Sequence, residues 1–177
     1  MTKTFDKYIR GLADMKICLN PTGPDTMPAE TEFKTIGEIK EGGLTLAPGS
    51  TSKEYLKKEG AGGLEIVDVM VTKEADTAKG KLIVKDLEAF ADITGGAIDS
   101  SKPGKVVYTG PVGAEPVDVA IIFETATKVN GQPVTRNYPL AKLTVQEDFV
   151  LSAKNWWEAS IEIEFLSQAQ TVYPQAV

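Results

Sequence analysis

The sequence predicts an all-β fold, a β-sandwich or barrel with one flanking α-helix (about residues 87–94) and a long polar loop (about residues 47–63). Three observations carry that reading. Apolar and polar residues alternate with a period of two through much of the second half, as strands with one buried face require. The turn-forming residues, 16 Gly and 10 Pro, are spread among these runs instead of being gathered into a linker. One segment alone repeats at helical spacing between recognisable start and stop signals. With 177 residues, no linker and no internal repeat, residues 1–177 read as one domain.

Taken in order, residues 4–12 place Phe5, Tyr8, Ile9 and Leu12 on one helical stripe, a candidate helix. Ile17 and Leu19 flank Cys18 in a strand-like run, and the single cysteine has no partner in the chain, so Cys18 reads as a small buried hydrophobe. Residues 20–28 and 100–116 are the longest irregular stretches. The polar, Gly-rich residues 47–63 read as an extended loop, although Thr51 with Glu54 also fits a capping box for a turn or two of helix ending at Gly60. Residues 64–72 are apolar on both faces around 67–71, and 79–85 return after a polar turn, which predicts a hairpin between them.

The helix follows. Asp86 is placed to cap the N–H groups of residues 87–89, Leu87, Phe90, Ala91 and Thr94 share one face, and Gly95 with Gly96 supplies a left-handed stop. Val117, Val119, Ile121, Phe123 and Thr125 then line one side of a strand, and Asn130-Gly131 supplies the positive φ angles of a type I′ turn before the extended run at 134–138. Residues 142–148 form a further short strand. In the last strand Trp157, Ala159, Ile161, Ile163 and Phe165 share the core side, while Glu158, Ser160, Glu162 and Glu164 face water or charged partners.

Charge and composition exclude several functions. Nineteen basic against 25 acidic side chains leave −6 overall, with no basic stripe to hold nucleic-acid phosphates. The chain has no His, which removes the commonest general base and the commonest transition-metal ligand. No run approaches the roughly 18 apolar residues of a membrane span, and residues 1–10 lack the apolar core of a signal peptide, so a soluble protein made in the cytoplasm is expected. The Gly-rich residues 60–63 lead into a strand, not a helix N-terminus, so they are no phosphate cradle. Glu162 and Glu164 share a face at roughly 7 Å, the spacing of paired carboxylates but also of any half-exposed strand. Asp92-Ile93-Thr94-Gly95 sits at a helix end and matches an aspartic-protease motif only loosely. No catalytic, cofactor-binding or metal-binding residue is assigned, no cofactor is expected, and an enzyme is not. Trp156, pointing opposite to Trp157, is a candidate subunit contact or, with Tyr108, a sugar platform.

The order of features resembles a family. Ala13-Asp14-Met15-Lys16-Ile17, then Thr35-Ile36-Gly37-Glu38-Ile39-Lys40-Glu41-Gly42-Gly43-Leu44, the polar loop, the hairpin at 64–85 and the helix closing in Asp92-Ile93-Thr94-Gly95-Gly96 resemble the tail tube (major tail) proteins of tailed bacteriophages. Residues 13–96 carry the likeness by pattern, and the whole chain by element order. The resemblance implies a β domain with a flanking helix that assembles as hexameric rings, stacked into a hollow tube through which DNA passes without specific binding. Its partners would be copies of itself and other phage tail proteins, with no membrane, and its location the virion tail. The loop at 47–63 would order against a neighbouring subunit or the next ring, which makes Tyr55 and Leu56 candidate subunit contacts beside the outward Trp156. The type VI secretion tube protein shares this architecture. The rival readings are a carbohydrate-binding β-sandwich using Trp156 and Tyr108, and an enzyme using Glu162 and Glu164.

Overall fold

The computed structural model describes residues 12–40, 43–60, 63–101, 103–104, 106–110, 115–147 and 158–174. The strands are β1 (Leu12–Cys18), β2 (Lys34–Ile39), β3 (Thr45–Ala47), β4 (Thr51–Gly60), β5 (Gly63–Lys73), β6 (Asp76–Val84), β7 (Ala97–Asp99), β8 (Val107–Thr109), β9 (Val117–Val129), β10 (Gln132–Glu147), β11 (Glu158–Phe165) and β12 (Gln170–Val172). One helix, α1 (Leu87–Thr94), follows β6.

Strands β11, β10, β9, β1, β2 and β6 lie side by side, all antiparallel, and β6 pairs in turn with β11 along eight residues, Glu158↔Ile83 to Phe165↔Asp76. The sheet therefore closes on itself as a six-stranded barrel, the arrangement that leaves no ladder unpaired around its girth. Met15, Ile17, Ile36, Val119, Ile121, Leu143, Ile161 and Ile163 fill it, each at most 3% exposed. The period-two pattern read from 117–125 and from 159–165 is this inward face. Cys18, at the end of β1, is buried as expected, its Sγ 3.7 Å from the Asn20 carbonyl oxygen.

Local signals behave as their chemistry dictates. Asn130 and Gly131 adopt φ of 52° and 80°, the turn that joins β9 to β10. The Asp86 carboxylate accepts from the N–H groups of Glu88 and Ala89 at 3.0 and 3.1 Å, and Gly95 ends α1 at φ 70°. Ala89, Phe90 and Ile93 pack into the barrel core, so the helix covers the end at which β6 finishes. Gly37 has a steric reason to be glycine: a Cβ there would stand 2.2 Å from the backbone oxygen of Ile83, because β2 and β6 cross closely.

Several expectations change. The polar loop at 47–63 is largely strand: β4 runs from Thr51 to Gly60, so neither a loop nor a capped helix forms there. The hairpin expected between 64–72 and 79–85 does not exist, since β5 pairs with β4, whereas β6 pairs with β2, β3 and β11. Residues 142–148 are not a separate strand; 142–147 continue β10, which pairs with β9 through irregularities at Pro133/Thr135 and Tyr138/Ala141. That second irregularity shifts the inward phase from Val134 and Tyr138 to Ala141, Leu143 and Val145, which is why period-two reading splits the strand. Glu158, expected on the wet side, is 8% exposed and pairs with Lys40 at 2.6 Å. Residues 4–11 of the candidate N-terminal helix lie outside the described residues, and Leu12 opens β1. Part of the irregular stretch at 100–116 belongs to the short β7–β8 pair.

Two stability predictions follow from these contacts. Gly37→Ala forces β2 away from β6 and is expected to cost about 2–3 kcal/mol, seen as a lower denaturant midpoint at unchanged m. Lys40→Ala strands a buried carboxylate and is expected to cost about 1–3 kcal/mol, with Glu158→Gln added in the same chain restoring part of it; equal midpoints for Lys40→Ala and the parent would refute the assignment.

Candidate assembly interface

The feature that leaves the barrel is a two-stranded arm. Strand β3 pairs with β6 through Thr45↔Lys79, Leu46↔Ala78 and Ala47↔Thr77, and β4 pairs with β5 from Thr51↔Lys73 onward. Both ladders share one offset, so a single antiparallel ribbon runs without slippage from the barrel wall to Leu56↔Asp68, where a bulge shifts the register before Gly60↔Gly63. The ten residues of β4 reach about 33 Å at roughly 3.3 Å per residue.

The junction is built to carry the register across. Pro48 has no N–H to donate, and Gly49 directs its own N–H to the Asp76 carboxylate at 2.9 Å. A Cβ on Gly49 would fall 2.0 Å from the Glu74 backbone oxygen, so only glycine lets the strands pass this closely. The Glu74 N–H donates to the Ser50 carbonyl oxygen at 2.9 Å, and the Ser50 hydroxyl donates to the Glu74 carboxylate. The Gly49 N–H, aided by Lys73 at 3.6 Å, holds the Asp76 carboxyl below its ordinary value.

Beyond the junction the ribbon stands outside the barrel sheet. It forms its own two-stranded sheet, and no described strand pairs with the outer edge of β4 or of β5. Directly opposed residues share a face, which puts Thr51, Lys53, Tyr55, Val69, Val71 and Lys73 on one side and Ser52, Glu54, Met70 and Thr72 on the other. Tyr55 is 51% exposed, and Val69, Met70 and Val71 are exposed likewise. One face is therefore apolar and basic, the other polar with an acidic residue and one Met. Large apolar residues held in water on an unpaired strand mark a contact surface.

At the foot of the ribbon the barrel has an open end, opposite α1. There a cavity of about 360 Å³ is lined by Leu44, Leu46, Phe123, Val134, Tyr138 and Phe165, with Arg136, Thr171 and Tyr173 around it. The Tyr138 ring stacks on Phe165 at 4.0 Å between centroids and meets Phe123 edge-on at 5.9 Å. The Arg136 guanidinium lies 5.6 Å from the Tyr138 ring centre, and burial raises the tyrosine's pKa while Arg136 opposes the rise.

Of the residues singled out from sequence, Tyr55 stands in β4 on the apolar face of the arm. Leu56 is in the same strand beside the bulge, its backbone opposite Asp68, and Trp156 lies outside the described residues. Tyr108 is committed to the fold: its hydroxyl is 2.7 Å from the Thr94 hydroxyl, its ring meets Phe90 at 5.8 Å and it lies against Gly96, where a Cβ would clash with it. Glu162 and Glu164 are exposed on β11, with Glu162 paired to Lys79 at 2.8 Å. Sequence reasoning missed Val69, Met70 and Val71. Their signal was present, since a two-faced apolar run facing the most polar stretch of the chain has nothing local to bury it. No helix among the described residues is long and apolar enough to cross a membrane.

The Asp76 contact predicts how the arm's root responds to acid. Its carboxyl pKa is depressed in the folded chain, so its contribution is complete above the ordinary value of 3.8 and is lost as pH falls through the folded value. Between about pH 5 and pH 2 the Gly49 amide signal in an NMR titration is expected to move and its solvent exchange to quicken, with Asp76→Asn abolishing the titration step. A Gly49 amide indifferent to pH in the parent chain would contradict this.

No protein-family model matches this chain, and no curated protein matches it.

Proposed function

We propose that the chain is a structural, non-enzymatic subunit that assembles with copies of itself into hexameric rings stacked as a hollow tube, the tail tube of a bacteriophage. The observation that carries the reading is the ribbon: a closed barrel sends out an in-register arm whose two outer edges pair with no described strand and whose face carries the exposed Tyr55, Val69 and Val71. The six barrel strands pair with one another around the closed sheet, and the arm, with the longest ladder outside it, supplies what an assembling subunit needs, exposed backbone donors and acceptors together with side chains such as Tyr55 that gain by leaving water. Copies of one chain meeting through such a surface close into rings when the rotation between them closes.

The net charge of −6 supports a wall that lets DNA slide, because an acidic surface repels phosphates where a basic one would retain them. In this reading the protein resides in the virion tail, meets other tail proteins at the tube's ends and makes no specific DNA contact. The type VI secretion tube is the nearest alternative of the same architecture, separated from this one by what travels through the bore.

Purified chain is expected to sediment in a concentration-dependent way and to give rings or tubes in negative-stain electron micrographs. Tyr55→Asp places a charge in the apolar strip and is expected to weaken association by about 2 kcal/mol or more while leaving the melting temperature of the monomer unchanged. A strict monomer at the highest soluble concentration, with no rings, would overturn the proposal.

A further inference from the structure

The geometry points to the open end of the barrel as the receptor for the arm: the Tyr55, Val69 and Val71 face of one copy seats in the cavity lined by Leu44, Leu46, Phe123, Val134, Tyr138 and Phe165 of the next. This inference rests on the self-assembly reading above and names the surface that the arm meets.

The two surfaces are complementary in kind. The cavity is apolar and floored by the stacked Tyr138 and Phe165 rings, which present an aromatic surface to an incoming ring. The arm brings one exposed tyrosine directly opposite Val69, with Val71 two residues along on the same face. At about 360 Å³ the cavity exceeds what one side chain fills, so a cross-strand pair suits it better than a single residue. Leu46 is 55% exposed on its rim although it points toward the core cluster through Ala78, its strand partner, and seating an arm would cover it.

An arm cannot fill its own cavity. Tyr55 lies eight residues beyond Ala47 along an unslipped ribbon, about 27 Å from the foot at roughly 3.4 Å per residue, whereas Leu44 and Leu46 line the cavity at that foot. The Tyr55 face therefore meets this cavity only on a second copy. Arm and cavity are also different surfaces, so each copy gives one arm and receives one: two copies can close by exchanging arms, and a larger number yields a ring or an open filament.

Complementation tests this directly. Tyr55→Asp spoils the arm and leaves the cavity, whereas Leu46→Asp spoils the cavity rim and leaves the arm. Each variant alone is expected to bind itself about 30-fold more weakly than the parent, and an equimolar mixture to form one-to-one complexes that grow no further. If the parent assembles and either variant assembles equally well, or the mixture stays monomeric, the cavity is not the receptor, although self-assembly stands. If the parent itself never assembles, the broader reading fails with it. Because Leu46→Asp carries some folding risk, a second measurement uses the assembled protein with Tyr55→Cys and Thr171→Cys in a Cys18→Ser background. An interchain disulfide between 55 and 171 supports the assignment, and an intrachain bond or none overturns it.

Discussion

Strand β6 is the constraint on which the rest of the molecule depends. On one side it pairs with β11 along eight residues, which closes the barrel. On the other it pairs with β2 at its end and with β3 at its beginning, and between those two strands the Gly43 N–H donates to the Lys40 carbonyl oxygen. The first ladder determines the size of the core and the second determines where the ribbon leaves it. Because β3 enters the barrel wall in the same register that β4 and β5 keep outside, the arm inherits its direction from backbone hydrogen bonds inside a cooperative unit. An isolated two-stranded hairpin in water is marginal, and the same hairpin extended from a packed sheet starts with its register already decided.

That inheritance matters energetically. Association costs conformational freedom at the surfaces that become ordered, and a segment that is loose when free loses much of its contact energy to that cost. In the proposed assembly, a ribbon with its glycine crossing at Gly49 and its Asp76 and Ser50 clasps would meet its partner with most of its backbone already arranged. The exposed strip carries a corresponding hazard of indiscriminate edge pairing. Lys53 and Glu54 on β4, and Lys73 on β5, put charge on both faces of the strip, the usual device by which exposed strands discourage the wrong partner.

The parts of this architecture legible from sequence are those whose cause is local. Asn130-Gly131 names its turn because few residue pairs tolerate two positive φ angles, and Asp86 with Gly95 names the limits of α1 because each satisfies backbone groups within a few residues. The partners of β6 are not legible, since it pairs with β3 from Ala47↔Thr77, with β2 from Ile39↔Leu82 and with β11 from Glu158↔Ile83, all distant in sequence, and their alternation is one that any strand would accept. Strand β4 escaped because its residues are polar on both faces, and period-two reasoning presumes a buried side that an arm in water does not have. Strand β10 was cut in two by a change of phase at Pro139, a residue that is itself fully buried. Glu158 looked like one more carboxylate on a wet face, and nothing in the sequence said that the turn carrying Lys40 would fold across it. Tyr55 and Leu56 were singled out in the right segment for a different conformation: the surface they share with Val69 exists only once β5 has turned back beside β4.

The division between barrel and arm separates the stable part of this chain from the part that the proposed assembly would use. A closed sheet satisfies its own ladders and hides its apolar face, which leaves it little reason to associate. A protein of this size that kept every strand in the barrel would gain stability and lose the exposed strip on which the proposed assembly rests. By sending β4 and β5 outward, the chain sets aside a stretch whose stability is low on its own and whose outer edges pair with no described strand. The open end at the foot of that stretch and the closed end under α1 make the molecule polar along the barrel axis. Such polarity is what stacking in one direction requires, because identical ends would let copies join head to head and stop.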